Sequence, residues 1–309
     1  MRGLSATNSE FPVTSNNAPI GIIGTGLMGT ACARRLLAAG HAVTGYDVDA
    51  ARSRALIALG GRAAPSIAEL ARQCRAVVIA VFNTDQVEAA LEAPEGLLAS
   101  RPAGLPPLAA ICVSTCDPDR ITALAQRLPA ARVQFIEMPV SGTSEQTARG
   151  EALGLVGGDP AAADAVRDVL DALCPRRHHL GAAGNGGRAK LAINLILGIN
   201  RAALAEGLVF AERMGLDPGR LLAVARDSAA YSQIMDIKGR KMVDGDFTPH
   251  GKIAQTLKDF ALMLEQAQRL HQQLPLAATY ADIVAGCMAN GEAELDNAAV
   301  IREIRRRHS

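Results

Sequence analysis

The segment Ile20-Gly-Ile-Ile-Gly24-Thr-Gly26-Leu27-Met28-Gly29 places the strongest limit on how this chain can fold. A short apolar run predicts a buried strand over Ile20–Ile23, and glycines then separate it from the amphipathic stretch Leu27–Ala39, which Gly40 ends. Glycines at this spacing do three different jobs. Gly24 permits a tight turn, Gly26 lets backbone N–H groups approach a ligand, and Gly29 lets the helix lie close on the strand. The helix N-terminus, with its unpaired N–H groups, then favours an anion above the loop. In this context the pattern is a dinucleotide fingerprint, with Leu27 and Met28 beside the pyrophosphate.

A chance glycine turn is the competing reading, and Asp47 opposes it. Asp47 follows the second apolar run, 18 residues after Gly29, where an acid that accepts the ribose hydroxyls belongs. It would repel the extra phosphate of NADP, so NAD is the expected cofactor and NADP the less favoured one. Arg52 and Arg54 are the nearby residues that would favour the phosphate. An ordinary turn aspartate is the plain alternative for Asp47.

Further apolar runs alternate with helical stretches: Ala42–Tyr46, Ala76–Phe82, Ala109–Val113 and Val133–Glu137 are the clearest. Continuous apolar strands separated by helices predict a parallel sheet covered on both faces, an α/β doubly wound (Rossmann-type) fold. Leu153–Val156, the helical Pro160–Leu173 and a run near His178 extend the sheet at one edge. After Gly187 the strand signals largely stop, and Arg188–Met214 reads as one helix of about 27 residues, ~40 Å long and able to join two domains. Helical patterns continue through Ala254–Gln272, Pro275–Ala289 and Asn297–Arg307. The expected organisation is a flexible tail over residues 1–18, a dinucleotide-binding domain over 19–181 and an all-α domain over 182–309.

Composition narrows the partners. Lys and Arg (32) nearly balance Asp and Glu (31), so no overall field draws the chain to nucleic acid or an acidic membrane. No uninterrupted apolar run reaches the roughly 20 residues of a membrane span, and the first 18 residues lack the apolar stretch of a signal peptide. Six cysteines show no C-x-x-C pair and no histidines at metal-ligand spacing, so they read as reduced thiols of a cytoplasmic protein without a metal site.

Five stretches together resemble the β-hydroxyacid dehydrogenase family, which includes 3-hydroxyisobutyrate, tartronate semialdehyde and threonate dehydrogenases. They are the loop ending Leu27-Met28-Gly29, Val113-Ser114-Thr115, Pro139-Val140-Ser141-Gly142, Gly184 through Lys190 to Asn194, and Lys258-Asp259-Phe260-Ala261-Leu262. The resemblance runs from about Pro19 to Leu264. It implies an active site between the two domains, and a homodimer or homotetramer formed through the helical domain.

It also assigns roles. Lys190 and Asn194 stand four apart on one helix face and can serve one substrate. Oxidising an alcohol needs a group to take the hydroxyl proton, and Lys190 is the expected general acid/base, with Asn194 on the substrate. Read alone, Lys190 in a helix's first turn would be a solvated charge. Ser141, Gly142 and Thr143 resemble the carboxylate clamp, the alternative being a plain Ser-Gly turn. Ser114 and Thr115 resemble residues near the nicotinamide ribose, Phe82 and Asn83 end the third strand where the cofactor passes, and Lys258 would close over cofactor or substrate.

Four positions depart from the family pattern: Glu137-Met138 stand for Asp-Ala, Thr143 for glycine and Ile193 for asparagine. The last two predict a carboxylate substrate bulkier or differently polar than 3-hydroxyisobutyrate. An imine reductase shares the architecture but usually lacks the lysine kept here. A non-catalytic nucleotide-binding scaffold is the reading from another class.

Overall fold

Every residue of three strands is buried: β1 (Ile20–Ile23), β4 (Ala76–Ile79) and β5 (Leu108–Cys112). The chain achieves this by covering both sheet faces, so alternate residues enter different cores. Ile20, Ile22, Val78 and Ile111 face a core with Cys32, Ala33 and Leu36 of helix Leu27–Ala38. Ile23, Val77, Ile79 and Ala110 face another with Leu70, Leu91 and Leu124.

The remaining strands are β2 (Val43–Tyr46), β3 (Arg62–Ala63), β6 (Val133–Glu137), β7 (Val140–Ser141), β8 (Leu153–Gly158) and β9 (Arg176–His179). In this computed structural model, which describes residues 18–307, they form a sheet of order β3-β2-β1-β4-β5-β6-β8-β7, with β9 on β8. Pairing is parallel from β3 to β6. β8 turns antiparallel to β6 and β7 and parallel to β9. The first six strands thus follow the doubly wound order, in which ligands lie beyond the strands' carboxyl ends. The tail expected over 1–18 falls outside the described residues except for Ala18.

Several expected elements shift. The third expected run, Ala76–Phe82, stops as a strand at Ile79, leaving Phe82 in a bend. Pro160–Leu173 is two helices, Pro160–Ala165 and Arg167–Leu173, because Val166 leaves helical geometry at ψ 29°. The short strands β3 and β7 carry no apolar run long enough to announce them.

The helical part is built on one helix, Asn185–Arg213, which starts three residues earlier than its apolar pattern. Helices Ile253–Arg269, Pro275–Ala289 and Val300–Arg306 pack against it. By length and composition this helix would also suit a membrane span. Here its Leu204, Ala205 and Leu208 enter a core with Phe260, Tyr280, Val284 and Val300. Gly198 lets Phe260 and Tyr280 approach: a Cβ there would sit 2.4 Å from the Phe260 ring. Arg201, also buried, donates to the Tyr280 hydroxyl at 2.7 Å.

Candidate active site

The glycine loop meets the steric demand that its spacing implies. Gly24 has φ +85°, and a Cβ on it would fall 2.6 Å from the Ala80 carbonyl oxygen. A Cβ on Gly29 would fall 1.9 Å from the Gly24 oxygen. Gly26 supplies no side-chain cap, and the first turn after it holds no acid. Among the described residues no carboxylate takes up the N–H groups of Leu27, Met28 and Gly29, as a pyrophosphate cradle requires.

Asp47, just past β2, ties itself to that loop. Its Oδ2 accepts from the Thr25 N–H (2.7 Å) and hydroxyl (3.3 Å), and its Oδ1 accepts from the Asp49 N–H (2.9 Å). The Arg52 guanidinium lies 3.7 Å from the same carboxylate. A carboxylate has about four acceptor positions, and these three bonds leave one of them on Asp47 unfilled.

Beyond β4 and β5 a second group assembles. The Phe82 N–H donates to Gln86 Oε1 (2.8 Å), and the Asn83 side chain caps helix Thr84–Glu92 by accepting from the Gln86 N–H (2.9 Å). Ser114 Oγ donates to the Val81 carbonyl at 2.7 Å, joining the ends of the two strands. From the helical part, Lys258 Nζ donates to the Thr115 carbonyl (2.5 Å) and stands 5.7 Å from the Phe82 ring centre. Arg269 of the same helix pairs with Asp117 at 3.0 Å. Helix Ile253–Arg269 is thereby strapped across the sheet's carboxyl edge.

Lys190 is buried, and its Nζ donates to the Val140 carbonyl at 2.7 Å, next to Ser141. Burial pushes its ammonium down to about 8; Asp259 pulls the other way, while Lys258 and Arg201 add to the fall. One turn on, Asn194 Nδ2 donates to Asp259 Oδ2 at 2.9 Å. Asp259 also holds Lys258 at 3.0 Å and Gln255 at 3.3 Å. Sequence reasoning named Asp259 only as the neighbour of Lys258. Its orienting role had one visible signal, an acid beside a lysine on a helix with an apolar face.

At the end of β7, Ser141 is half-buried, and Gly142 avoids Ala152, whose Cβ would stand 2.9 Å from an added Cβ. Thr143 spends its polar groups on a capping box with Gln146, accepting the Gln146 N–H at 3.1 Å and donating its own to Gln146 Oε1 at 2.9 Å. Ser141 and Gly142 are left as the nearer partners for a carboxylate. Thus the fold groups Lys190 with the Ser141 loop, Asn194 with Lys258, Thr115 and Phe82 through Asp259, and Asp47 with the glycine loop. Among the described residues no group of three or more His, Cys, Asp or Glu is placed to hold a metal.

The chain matches two family models: the NAD binding domain of 6-phosphogluconate dehydrogenase over residues 19–181, and the NAD-binding domain of NADP-dependent 3-hydroxyisobutyrate dehydrogenase over 184–304. It is 32% identical to an L-threonate dehydrogenase of Cupriavidus necator, over 92% of this chain and 95% of that one. With a 2-hydroxy-3-oxopropionate reductase of Escherichia coli it shares 29% identity over 92% and 96% of the two chains. A crystal structure of a 3-hydroxyisobutyrate dehydrogenase from Salmonella typhimurium is similar at TM-score 0.83 and 30% identity, covering 92% of this chain and 99% of that one.

Proposed function

Because this chain belongs to the β-hydroxyacid dehydrogenase family, an oxidoreductase family with a nicotinamide cofactor, we propose that it interconverts a small 3-hydroxy acid and its semialdehyde with Lys190 as general acid/base. The observation that carries this reading is the buried Lys190 Nζ, pushed down to about 8 and held on the carbonyl beside Ser141. In oxidation the neutral amine takes the hydroxyl proton; in reduction the ammonium returns it. The bound nicotinamide supplies the hydride acceptor or donor. Asn194, its amide nitrogen held by Asp259, turns its carbonyl oxygen elsewhere and can accept from the substrate hydroxyl. Ser141 and the Gly142 backbone would take the carboxylate, with Thr143 shaping the loop.

NAD is the proposed form, supported by the Asp47 carboxylate beside the loop. Arg52, 3.7 Å from it, is the observation that favours NADP. Ile193 and Thr143 support a substrate bulkier or differently polar than 3-hydroxyisobutyrate, and the relative named an L-threonate dehydrogenase is in keeping with it. Exposed Ile196, Phe210, Met214 and Val224 on the helical part support a homodimer or homotetramer formed there. Six free, buried cysteines suit a reducing cytoplasm.

The test follows absorbance of the reduced nicotinamide for the wild type and Lys190→Ala, with NAD or NADP, L-threonate, 2-hydroxy-3-oxopropionate, 3-hydroxyisobutyrate and a cyclic imine. Turnover of a hydroxy acid that collapses in the variant supports the proposal. Turnover of the imine alone overturns it, and undiminished turnover in Lys190→Ala removes that residue from the chemistry.

A further inference from the structure

We propose that Glu137 is the positioning residue of this active site: its buried carboxylate grips the first turn of helix Asn185–Arg213 and so sets Lys190 against the Ser141 loop. Glu137 is the last residue of β6 and is 2% exposed. Its Oε2 accepts from the N–H groups of Gly184 (2.7 Å) and Gly186 (3.0 Å), and its Oε1 from that of Gly187 (2.9 Å). Three charge-assisted bonds at the positive end of a 29-residue helix make a strong anchor.

The surroundings are shaped for that carboxylate. A Cβ on Gly157 would approach its Oε2 to 2.6 Å, one on Gly186 to 3.0 Å, and one on Gly187 would approach Oε1 to 2.8 Å. The glycines that make room also weaken the helix start, since glycine costs the most backbone entropy to order. Without an anion, the helix's first N–H groups would lack acceptors. The grip is thus needed where the room is made.

The geometry then carries the effect to the reacting group. Three residues after Glu137, the Val140 carbonyl accepts from Lys190 Nζ at 2.7 Å; Lys190 itself stands three residues after Gly187. Two bridges therefore join the same two short segments, 137–140 and 184–190. Glu137 acts through the helix backbone and touches no reacting atom. Burial pushes its carboxyl up to about 7, with the Gly184, Gly187 and Gly186 N–H groups and Arg188 pulling it down. The thiols of Cys112 on β5 and Cys116 just beyond it face it from the sheet side, and Arg188 on the long helix is paired with Asp119. Protonation turns an acceptor into a donor, so the grip loosens as the medium acidifies through neutrality.

The inference rests on the proposed role of Lys190, and the experiment separates the two. Glu137→Gln, Glu137→Asp and Lys190→Ala are compared with the wild type by kcat, KM and thermal midpoint over about pH 6 to 9, and by fluorescence titration with the reduced nicotinamide cofactor. Glu137→Gln is expected to lower kcat roughly 10- to 100-fold, since a misplaced catalytic group costs that much, with cofactor affinity held within about twofold. In the reduction direction, where Lys190 gives only an alkaline limb, the acid limb of kcat in the wild type is expected to vanish in Glu137→Gln, and Glu137→Asp, which keeps the charge on a shorter arm, to recover part of the rate. If Glu137→Gln does not fold, a lowered kcat in Glu137→Asp with cofactor affinity retained carries the same inference. A lowered thermal midpoint with wild-type kcat and an unchanged pH profile, in whichever variant folds, would make Glu137 merely structural and overturn it. Loss of rate in the Glu137 variants while Lys190→Ala still turns over would instead sink the Lys190 reading.

Discussion

Two helices in this molecule begin in nearly the same way and end up with different partners. Leu27–Ala38 and Asn185–Arg213 both have a glycine N-cap, no side-chain cap of their own and no acid in the first turn. At the first, the N–H groups stay clear of any carboxylate among the described residues, and the glycines keep Gly24 and Gly29 in contact with Ala80 and each other. At the second, Glu137 arrives from 47 to 50 residues away in sequence and occupies the N–H groups. Local sequence thus announces an anion-binding helix start. Whether the anion is a ligand or a side chain is decided by what the fold brings to it.

That contrast can be broken by substitution. The largest expected effect is at Lys190: Lys190→Ala should lower kcat by about 10²- to 10⁴-fold, measured by nicotinamide absorbance, with cofactor affinity little changed. Next comes a mirrored pair. Gly29→Ala would drive a Cβ to 1.9 Å from the Gly24 oxygen, and is expected to weaken cofactor binding more than about tenfold in a fluorescence titration. Gly187→Ala would crowd the Glu137 carboxylate at 2.8 Å, and is expected to lower kcat about tenfold while sparing cofactor affinity. If both variants damaged cofactor affinity alike, the two helix starts would not be functionally distinct.

The pH dependence sharpens the same division. Lys190 must be neutral to accept a proton, and burial pushes it down to about 8. kcat/KM for oxidation should therefore rise as pH increases through about 8 and level off above, while that for reduction should fall over the same range. Oxidation that is flat across this window would place the proton elsewhere. The smallest effect is expected at Arg52: Arg52→Ala should shift the NAD over NADP ratio of kcat/KM by a few-fold toward NAD, because an exposed guanidinium interacts through solvent.

Legibility differed along the chain for physical reasons. β1, the glycine loop and β5 could be read because a strand buried on both faces is a continuous apolar run and a steric glycine has no substitute. β7 could not: two residues, Val140 and Ser141, owe their strand geometry to pairing with β8. β4 stopped short of Phe82, and Val166 broke one expected helix into two, since apolarity alone does not mark where backbone geometry changes. The start of the long helix was placed too late because Gly186 and Gly187 are poor helix formers in isolation; Glu137 holds them helical. Lys190 and Asn194 were legible as a face of one helix, whereas Asp259 as the partner of Asn194 was not.

By itself the sequence determined what acts over a few residues: strand and helix periodicity, the glycine turn, the placing of Lys190 and Asn194 one turn apart, and the acid after β2. Tertiary structure alone decided which of those groups lie in low dielectric and whom they meet. Glu137 with Gly187 and Lys190 with Val140 are each 50 residues apart in the chain. Burial and hydrogen-bond partners depend on how distant segments pack, and these set both the proton affinity of Lys190 and the anchoring of its helix.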